Sequence, residues 1–295
     1  SMSTLVTWLP GDPALREGTG GTLAFELSEP APAGGLLLGI SLAGSVATLA
    51  DLRVVAFGGL ARESDTTFRV AEGSLGGALM FYAEPDGLVE GTESLQLQSW
   101  LGTTANPVTG ASLSVNDPAS GSMTSSHDLR TGQSSYAGGI ADDAYVATLQ
   151  GVGANGVAVR NISLSDAGGN NQLRVTAQGS FASQVGIEGS TLQLGSTTSA
   201  GFAAVSVDIV GLLYPTGVNN SQITAGGGGS LITVSVVATT GGDNREFRGV
   251  AGSTISGGDG IDVLTISVQD PTPSGQGINA VSYTHLRAHE TLRYL

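Results

Sequence analysis

The chain has 295 residues and a formal net charge of −14, and its eleven basic residues are all Arg. It contains no Cys, which excludes disulfides, thiolate zinc sites and a cysteine nucleophile. Gly supplies 46 residues and aromatics only 5%, so a core must be built from Val, Leu, Ile and Ala on short elements broken by turns, an all-β composition. No clustered basic face is present, which argues against a nucleic-acid surface and leaves metal cations or the medium as counter-ions. The longest apolar stretch, 36–42, is interrupted by Gly39 and Ser41 and falls far short of the roughly 18–20 residues that cross a bilayer. The N-terminus shows no basic region followed by an apolar one, so the chain is expected to begin inside a longer protein whose secretion signal lies elsewhere.

Taken in order, apolar alternation marks strands at about 5–8, 22–27, 36–42, 54–57, 67–70, 78–82, 95–100 and 112–115. Turn residues such as Pro10-Gly11-Asp12-Pro13, Gly58-Gly59 and Asn106-Pro107 separate them. Seven or eight short strands in about 115 residues predict an antiparallel, immunoglobulin-like β-sandwich over 1–118. Between two of the strands lies Glu84-Pro85-Asp86-Gly87-Leu88-Val89-Glu90-Gly91-Thr92-Glu93, the densest carboxylate cluster of the chain. Ca²⁺ takes about 6 to 8 oxygen ligands, and acidic side chains flanked by Gly on an inter-strand turn suit it. A solvated, repelling turn is the alternative.

The same residues resemble a known family, the Calx-β domain. The resemblance runs through Arg16-Glu17-Gly18-Thr19-Gly20-Gly21-Thr22, Phe25-Glu26-Leu27-Ser28-Glu29-Pro30-Ala31 and Ala47-Thr48-Leu49-Ala50-Asp51-Leu52. It continues through Thr67-Phe68-Arg69-Val70-Ala71-Glu72-Gly73, the acidic loop, and a closing segment that ends at Asn116-Asp117. The resemblance implies calcium at one end of the sandwich, with Glu17, Asp51, Asp86, Glu90, Glu93 and Asp117 as ligands. Pro85 stands where the family has a second adjacent acid, and Asn116-Asp117-Pro118 replaces a run of acids. Two readings stay open: one or two Ca²⁺ ions, or acids kept as turn and edge residues that block sheet-to-sheet aggregation.

Residues 119–135 are small and polar with no apolar period, and read as a linker. His127-Asp128 lies inside it without a positioned nucleophile, so no catalytic pair is assigned there. From Tyr136 the chain repeats. Glycine-rich turns begin at Gly138, Gly168, Gly195, Gly226 and Gly257, with spacings of 30, 27, 31 and 31 residues. A phrase such as Asn161-Ile-Ser-Leu or Gly252-Ser-Thr-Ile-Ser precedes them, and a strand such as Leu173-Arg-Val-Thr or 231–236 follows. No single coil buries such an alternating face, so the coils must stack, which predicts a parallel β-solenoid over 136–280. Gly257-Gly-Asp-Gly-Ile-Asp-Val-Leu-Thr265 matches the nonapeptide of RTX calcium-binding β-rolls, which implies Asp259 and Asp262 as weaker ligands. The equivalent turns mostly lack the acid, and the competing reading is structural: Gly permits the corners while Asp or Asn bonds its own backbone. As a whole the unit resembles the Gly/Asn/Asp-rich repeats of very large bacterial surface and secreted proteins.

Residues 281–295 break with everything before them, holding two of the three His and two of the six Tyr but no Gly. They resemble the translated sequencing-adapter tail found at the ends of assembled metagenomic proteins, and are expected to be non-native. His285 and His289 at i, i+4 beside Glu290 lack both the HExxH order and a third ligand, so no zinc site is assigned. Taken together, these features predict a non-enzymatic piece of a large extracellular or cell-surface protein with an adhesion, spacer or coat role. Calcium and an extracellular polysaccharide or protein are its expected partners. Two alternatives stay open, a polysaccharide-acting parallel β-helix enzyme and, ranked last, a calcium sensor.

Overall fold

The computed structural model describes residues 6–8, 14–44, 52–86, 88, 91–102, 107–117, 125–151, 156–179, 184–196, 198–240, 248–269, 276–279, 282–284 and 291–294. Every element among them is a strand. The chain divides into two compact units, Ser1–Ser122 and Met123–Leu295.

The first unit is a sandwich of two sheets. A four-stranded sheet runs in the order Val6–Trp8, Gly20–Leu27, Gly76–Ala83, Leu52–Phe57. A six-stranded sheet runs Ala14–Arg16, Pro107–Asn116, Glu93–Leu101, Leu36–Gly44, Thr67–Val70, Leu60–Arg62. All pairings are antiparallel except that of Ala14–Arg16 with Ser114, Val115 and Asn116. The first two strands border different sheets, Val6–Trp8 the four-stranded one and Ala14–Arg16 the six-stranded one. Alternation explains the faces. Leu52, Val54 and Ala56 point inward from one sheet, and Phe68 and Val70 from the other. They meet Leu23, Phe25, Leu79, Phe81, Leu38, Ile40, Leu97 and Leu113 in a single core. Each such side chain contributes about 1.5–3 kcal/mol on burial. All eight sequence-derived strands are found. The two that alternation misses, Ala14–Arg16 and Leu60–Arg62, have three residues each, too few to show a period. Both are edge strands, and their shortness and terminal Arg blunt the sheet edges.

The second unit is the parallel solenoid, with three sheets rather than the two strand segments per repeat that the sequence shows. A long sheet stacks Ser125–Asp128, Asp143–Gly151, Asn171–Gly179, Ala203–Gly211, Ser230–Ala238, Asp262–Gln269 and Thr291–Tyr294. A six-stranded sheet stacks Ser135–Gly138, Ser163–Asp166, Thr191–Gln193, Gln222–Thr224, Thr254–Ser256 and Ser282–Thr284. A five-stranded sheet stacks Gly156–Arg160, Gln184–Glu188, Thr216–Asn219, Arg248–Ala251 and Gln276–Asn279. One coil takes 28 residues from Asp143 to Asn171 and 32 from Ser230 to Asp262, close to the glycine spacing. One segment departs from its sequence reading: Ser125–Asp128, inside the expected linker, pairs in register with Asp143–Val146. Ser282–Thr284 and Thr291–Tyr294 extend two of the sheets.

The core is aliphatic, formed by Val175, Ala177, Val205, Val207, Ile209, Val234 and Val236 from the long sheet, with Val159, Ile187, Val218 and Val250 opposite. Gly186 and Gly217 let the five-stranded sheet lie against it. A Cβ on Gly217 would stand 2.4 Å from the Gly249 carbonyl oxygen and 2.5 Å from Val234 Cγ1. One corner takes left-handed backbone in four successive coils, at Asn161 (φ 52), Gly189 (φ 59), Asn220 (φ 46) and Gly252 (φ 53). These are the residues that enter that region at least cost. Next to it runs a serine ladder: the amides of Ile162, Ser190 and Ser221 donate to the hydroxyls of Ser190, Ser221 and Ser253, at 3.0, 3.1 and 3.1 Å. Each of these hydroxyls donates in turn to a carbonyl two residues back in its own coil, so buried polar groups are satisfied between coils.

Candidate functional site

In the sandwich, strand register gathers one end of both sheets. The Glu17 amide donates to the Asn116 carbonyl (2.9 Å), the Gly18 amide to that of Ala83 (2.8 Å), and Ala83 in turn to Thr19 (3.0 Å). Val115 faces Glu93, and Leu52 faces Ala83. Residues 17–19, 83–86, 91–93 and 115–117, far apart in sequence, therefore share this end. Of the six carboxylates expected there, Asp51 and Glu90 lie outside the described residues.

The remaining four differ in their environments. Glu17 is buried at 8% exposure, on a turn closed by the Thr19 hydroxyl donating to the Arg16 carbonyl at 2.7 Å. Asp86 is exposed and accepts the Leu88 amide at 2.8 Å, an Asx turn that shapes the loop. Asp117 accepts the Gly91 amide at 2.8 Å and so ties the loop to the last strand, while Thr92 bonds the Asn116 amide oxygen at 2.6 Å. Glu93 opens its strand and is half-buried. Glu84, at the start of the acidic segment, pairs with Arg53 at 2.6 Å, and that guanidinium lies 5.4 Å from the Tyr82 ring centre. The donors are all hard oxygens, the kind Ca²⁺ takes. Among the described residues, however, no three His, Asp or Glu side chains stand close enough together to hold a metal ion.

In the solenoid, Asp262 is fully buried and accepts the Ser230 hydroxyl at 2.8 Å, whereas Asp259 is exposed at the turn. Asp262 belongs to a column that opens the long-sheet strands: Asp143, Asn171, Ala203, Ser230, Asp262. The sequence places Asp143, Asn171, Ser230 and Asp262 at turns. It had no signal for the network around the first two, because its contacts from Asp143 to Asn171 and from Asn171 to Leu194 join neighbouring coils. Asn171 is fully buried; its Nδ2 donates to Asp166 Oδ1 (2.8 Å) and to the carbonyls of Gly168 (2.9 Å) and Leu194 (2.8 Å). Its Oδ1 accepts the Asp143 amide at 2.9 Å. The Tyr145 hydroxyl donates to Asp166 Oδ2. His127 Nε2 meets Asp143 Oδ1 at 2.8 Å and its ring stacks on Tyr145 with centroids 4.9 Å apart, so its partner is Asp143 and not the adjacent Asp128.

Burial raises the Asp166 carboxyl above the usual carboxylate range. Bonds from Tyr145 and Gly168 oppose the rise, the charge of Asp143 adds to it, and the Asn171 bond opposes it again. Burial also pushes the Tyr145 phenol up, helped by the Asp166 bond. The folded state thus holds the Asp166 proton to higher pH than the unfolded chain does. Its stabilising contribution is complete below about pH 4 and is lost as pH rises through the folded value. Asp166→Asn, which stays neutral, is expected to raise the solenoid melting temperature at pH 7 and to lose that advantage at pH 4. Equal shifts at both values would contradict this account.

No helix among the described residues is long and apolar enough to cross a membrane. Compared with known protein families and with curated proteins, the chain matches no family model and no curated sequence.

Proposed function

We propose that this chain is a non-catalytic part of a large bacterial secreted or cell-surface protein, with a Calx-β-like sandwich that calcium supports and a solenoid that spaces or displays it. The observation that carries the proposal is the solenoid's construction. Its corner residues, serine ladder and polar column satisfy one coil through the next, which is how a stacked rod is built. An adhesion, spacer or coat role follows from such a rod, with an extracellular polysaccharide or protein as the partner. Asp143, Asp166 and Asp262 are buried and spent on structure, which weighs against the polysaccharide-cleaving alternative. Asp208 is instead exposed on the outer face of Ala203–Gly211, and hydrolysis of an acidic polysaccharide that Asp208→Asn abolishes would reverse that judgement.

Support for calcium is that Glu17, Asp86, Glu93 and Asp117, hard oxygen donors from segments far apart in sequence, lie at one end of the sandwich, where a cation could draw them together. Both Trp residues, Trp8 and Trp100, belong to the first unit, so tryptophan fluorescence of the intact protein reports that unit alone. With calcium at about 100 times its Kd, the sandwich gains about 2.7 kcal/mol. That corresponds to a rise of roughly 5–15 °C in the fluorescence-detected melt relative to EDTA, and Asp117→Asn is expected to remove most of it. Identical melts in calcium and EDTA would take calcium out of the account.

A further inference from the structure

The three solenoid sheets do not begin together. Among the described residues the long sheet starts at Ser125–Asp128 and the six-stranded sheet at Ser135–Gly138, one coil earlier than the five-stranded sheet, which starts at Gly156–Arg160. Between Asp128 and Ser135 the chain passes that third face without forming a strand. The first strand of the five-stranded sheet would then present a row of unpaired backbone groups, the usual template for pairing with another chain.

We infer that residues 125–138 form a built-in cap on this end of the solenoid, in which the Arg130 guanidinium replaces the missing strand and blocks the open edge. One guanidinium nitrogen of Arg130 donates to the carbonyls of Val157 and Ala158, at 2.8 Å each, both in Gly156–Arg160. An Asx turn sets its direction: the Arg130 amide donates to Asp128 Oδ1 at 2.9 Å. Residue 129 anchors the turn, with the Leu129 side chain 2% exposed within the core and its amide donating to the Val146 carbonyl at 2.9 Å. On one side of this anchor His127 is held by Asp143 and Tyr145. On the other, the Thr131 and Tyr136 hydroxyls lie 3.0 Å apart, and Ser163 donates to the Ser134 carbonyl at 2.8 Å. The cap is thus pinned to all three faces, and Arg130 is what bonds it to the third. Repeat proteins need such terminal units to stay soluble, because an uncapped coil offers its neighbour-binding surface to other molecules.

The test uses the intact protein carrying Arg130→Met, which keeps much of the aliphatic stem and removes the donors. Far-UV circular dichroism follows the melt that tryptophan fluorescence does not report, and sedimentation velocity follows association over a hundredfold range of concentration. Losing charged donors from two edge carbonyls, one of them part-buried, is expected to lower that melt by about 4–8 °C and to produce concentration-dependent oligomers that the wild type does not form. A variant that melts like wild type, or one that loses stability yet sediments like wild type at every concentration, overturns the edge-blocking role. Should Arg130→Met fail to fold, Arg130→Lys decides, since it keeps stem and charge but loses the planar fork. Association beyond the wild type supports the cap, and wild-type sedimentation overturns it.

Discussion

Asn171→Ala is expected to be the most damaging polar substitution in the solenoid, lowering its stability by about 4–6 kcal/mol and its melting temperature by roughly 10–20 °C. Asn171 is fully buried and makes four hydrogen bonds, three from Nδ2 and one to Oδ1. Truncation would strand the Asp143 amide and the Gly168 and Leu194 carbonyls, and each buried group left unpaired costs about 1–3 kcal/mol. Asp166 would lose one of the donors that favour its charged form while remaining buried. Asn171→Asp separates donors from volume. It is nearly isosteric, but it turns an oxygen toward two carbonyls and a carboxylate, so it is expected to be at least as harmful as Ala. Thermal melts of both variants, read by circular dichroism, check this. A loss under about 1 kcal/mol for Asn171→Ala would mean the network is not what holds the corner.

The parts of the fold that could be read in the sequence are those with a period. Strands such as Leu52–Phe57 and Ser230–Ala238 alternate along their length, and the core residues fall at the inward positions. The five-stranded sheet could not be read this way. Its strands have four or five residues, and Gly186, Gly217 and Gly249 sit where apolar residues would announce a strand. Glycine gives no strand signal in one dimension, yet Gly186 and Gly217 are in the core because another sheet's Val and Ile side chains occupy the space a Cβ would need. The linker reading of 125–128 failed for a related reason. A cap strand has one partner and few apolar residues, and Ser-Ser-His-Asp carries no hydrophobic signal.

The candidate sites divide along the same line. Acidic loops are visible in composition, but which of them share an end of the sandwich depends on register across strands about a hundred residues apart, as the Asn116 side chain bonding the Leu15 carbonyl shows. The RTX-like nonapeptide was equally visible. What local sequence did not contain was the column that buries Asp262 and places it against the Ser230 hydroxyl. Arg130 gives no sequence signal at all, because its two acceptors are backbone carbonyls of no particular residue type.

The glycines supply a second large effect and a way to tell its two causes apart. Gly201 has no left-handed φ, but a Cβ there would stand 1.9 Å from the Gly169 carbonyl oxygen and 2.7 Å from its carbon, both fixed backbone of the preceding coil. Parallel strands lie about 4.8 Å apart, so the coils would have to separate, and Gly201→Ala is expected to cost about 3 kcal/mol or more. Gly132 is the opposite case, with φ +89 and nothing within 4 Å of the place a methyl group would take. There Ala meets only the left-handed penalty of about 1–2 kcal/mol, partly offset by about 0.4–1 kcal/mol of lost unfolded-chain entropy. Asn separates the mechanisms further. It tolerates left-handed backbone, as Asn161 and Asn220 do in this chain, so Gly132→Asn should recover most of the Ala loss. At 201 the obstacle is volume, and Asn should be no better than Ala. Melting the four variants side by side decides the matter: if Asn rescued position 201 as well as 132, close backbone approach would not be why this corner is glycine.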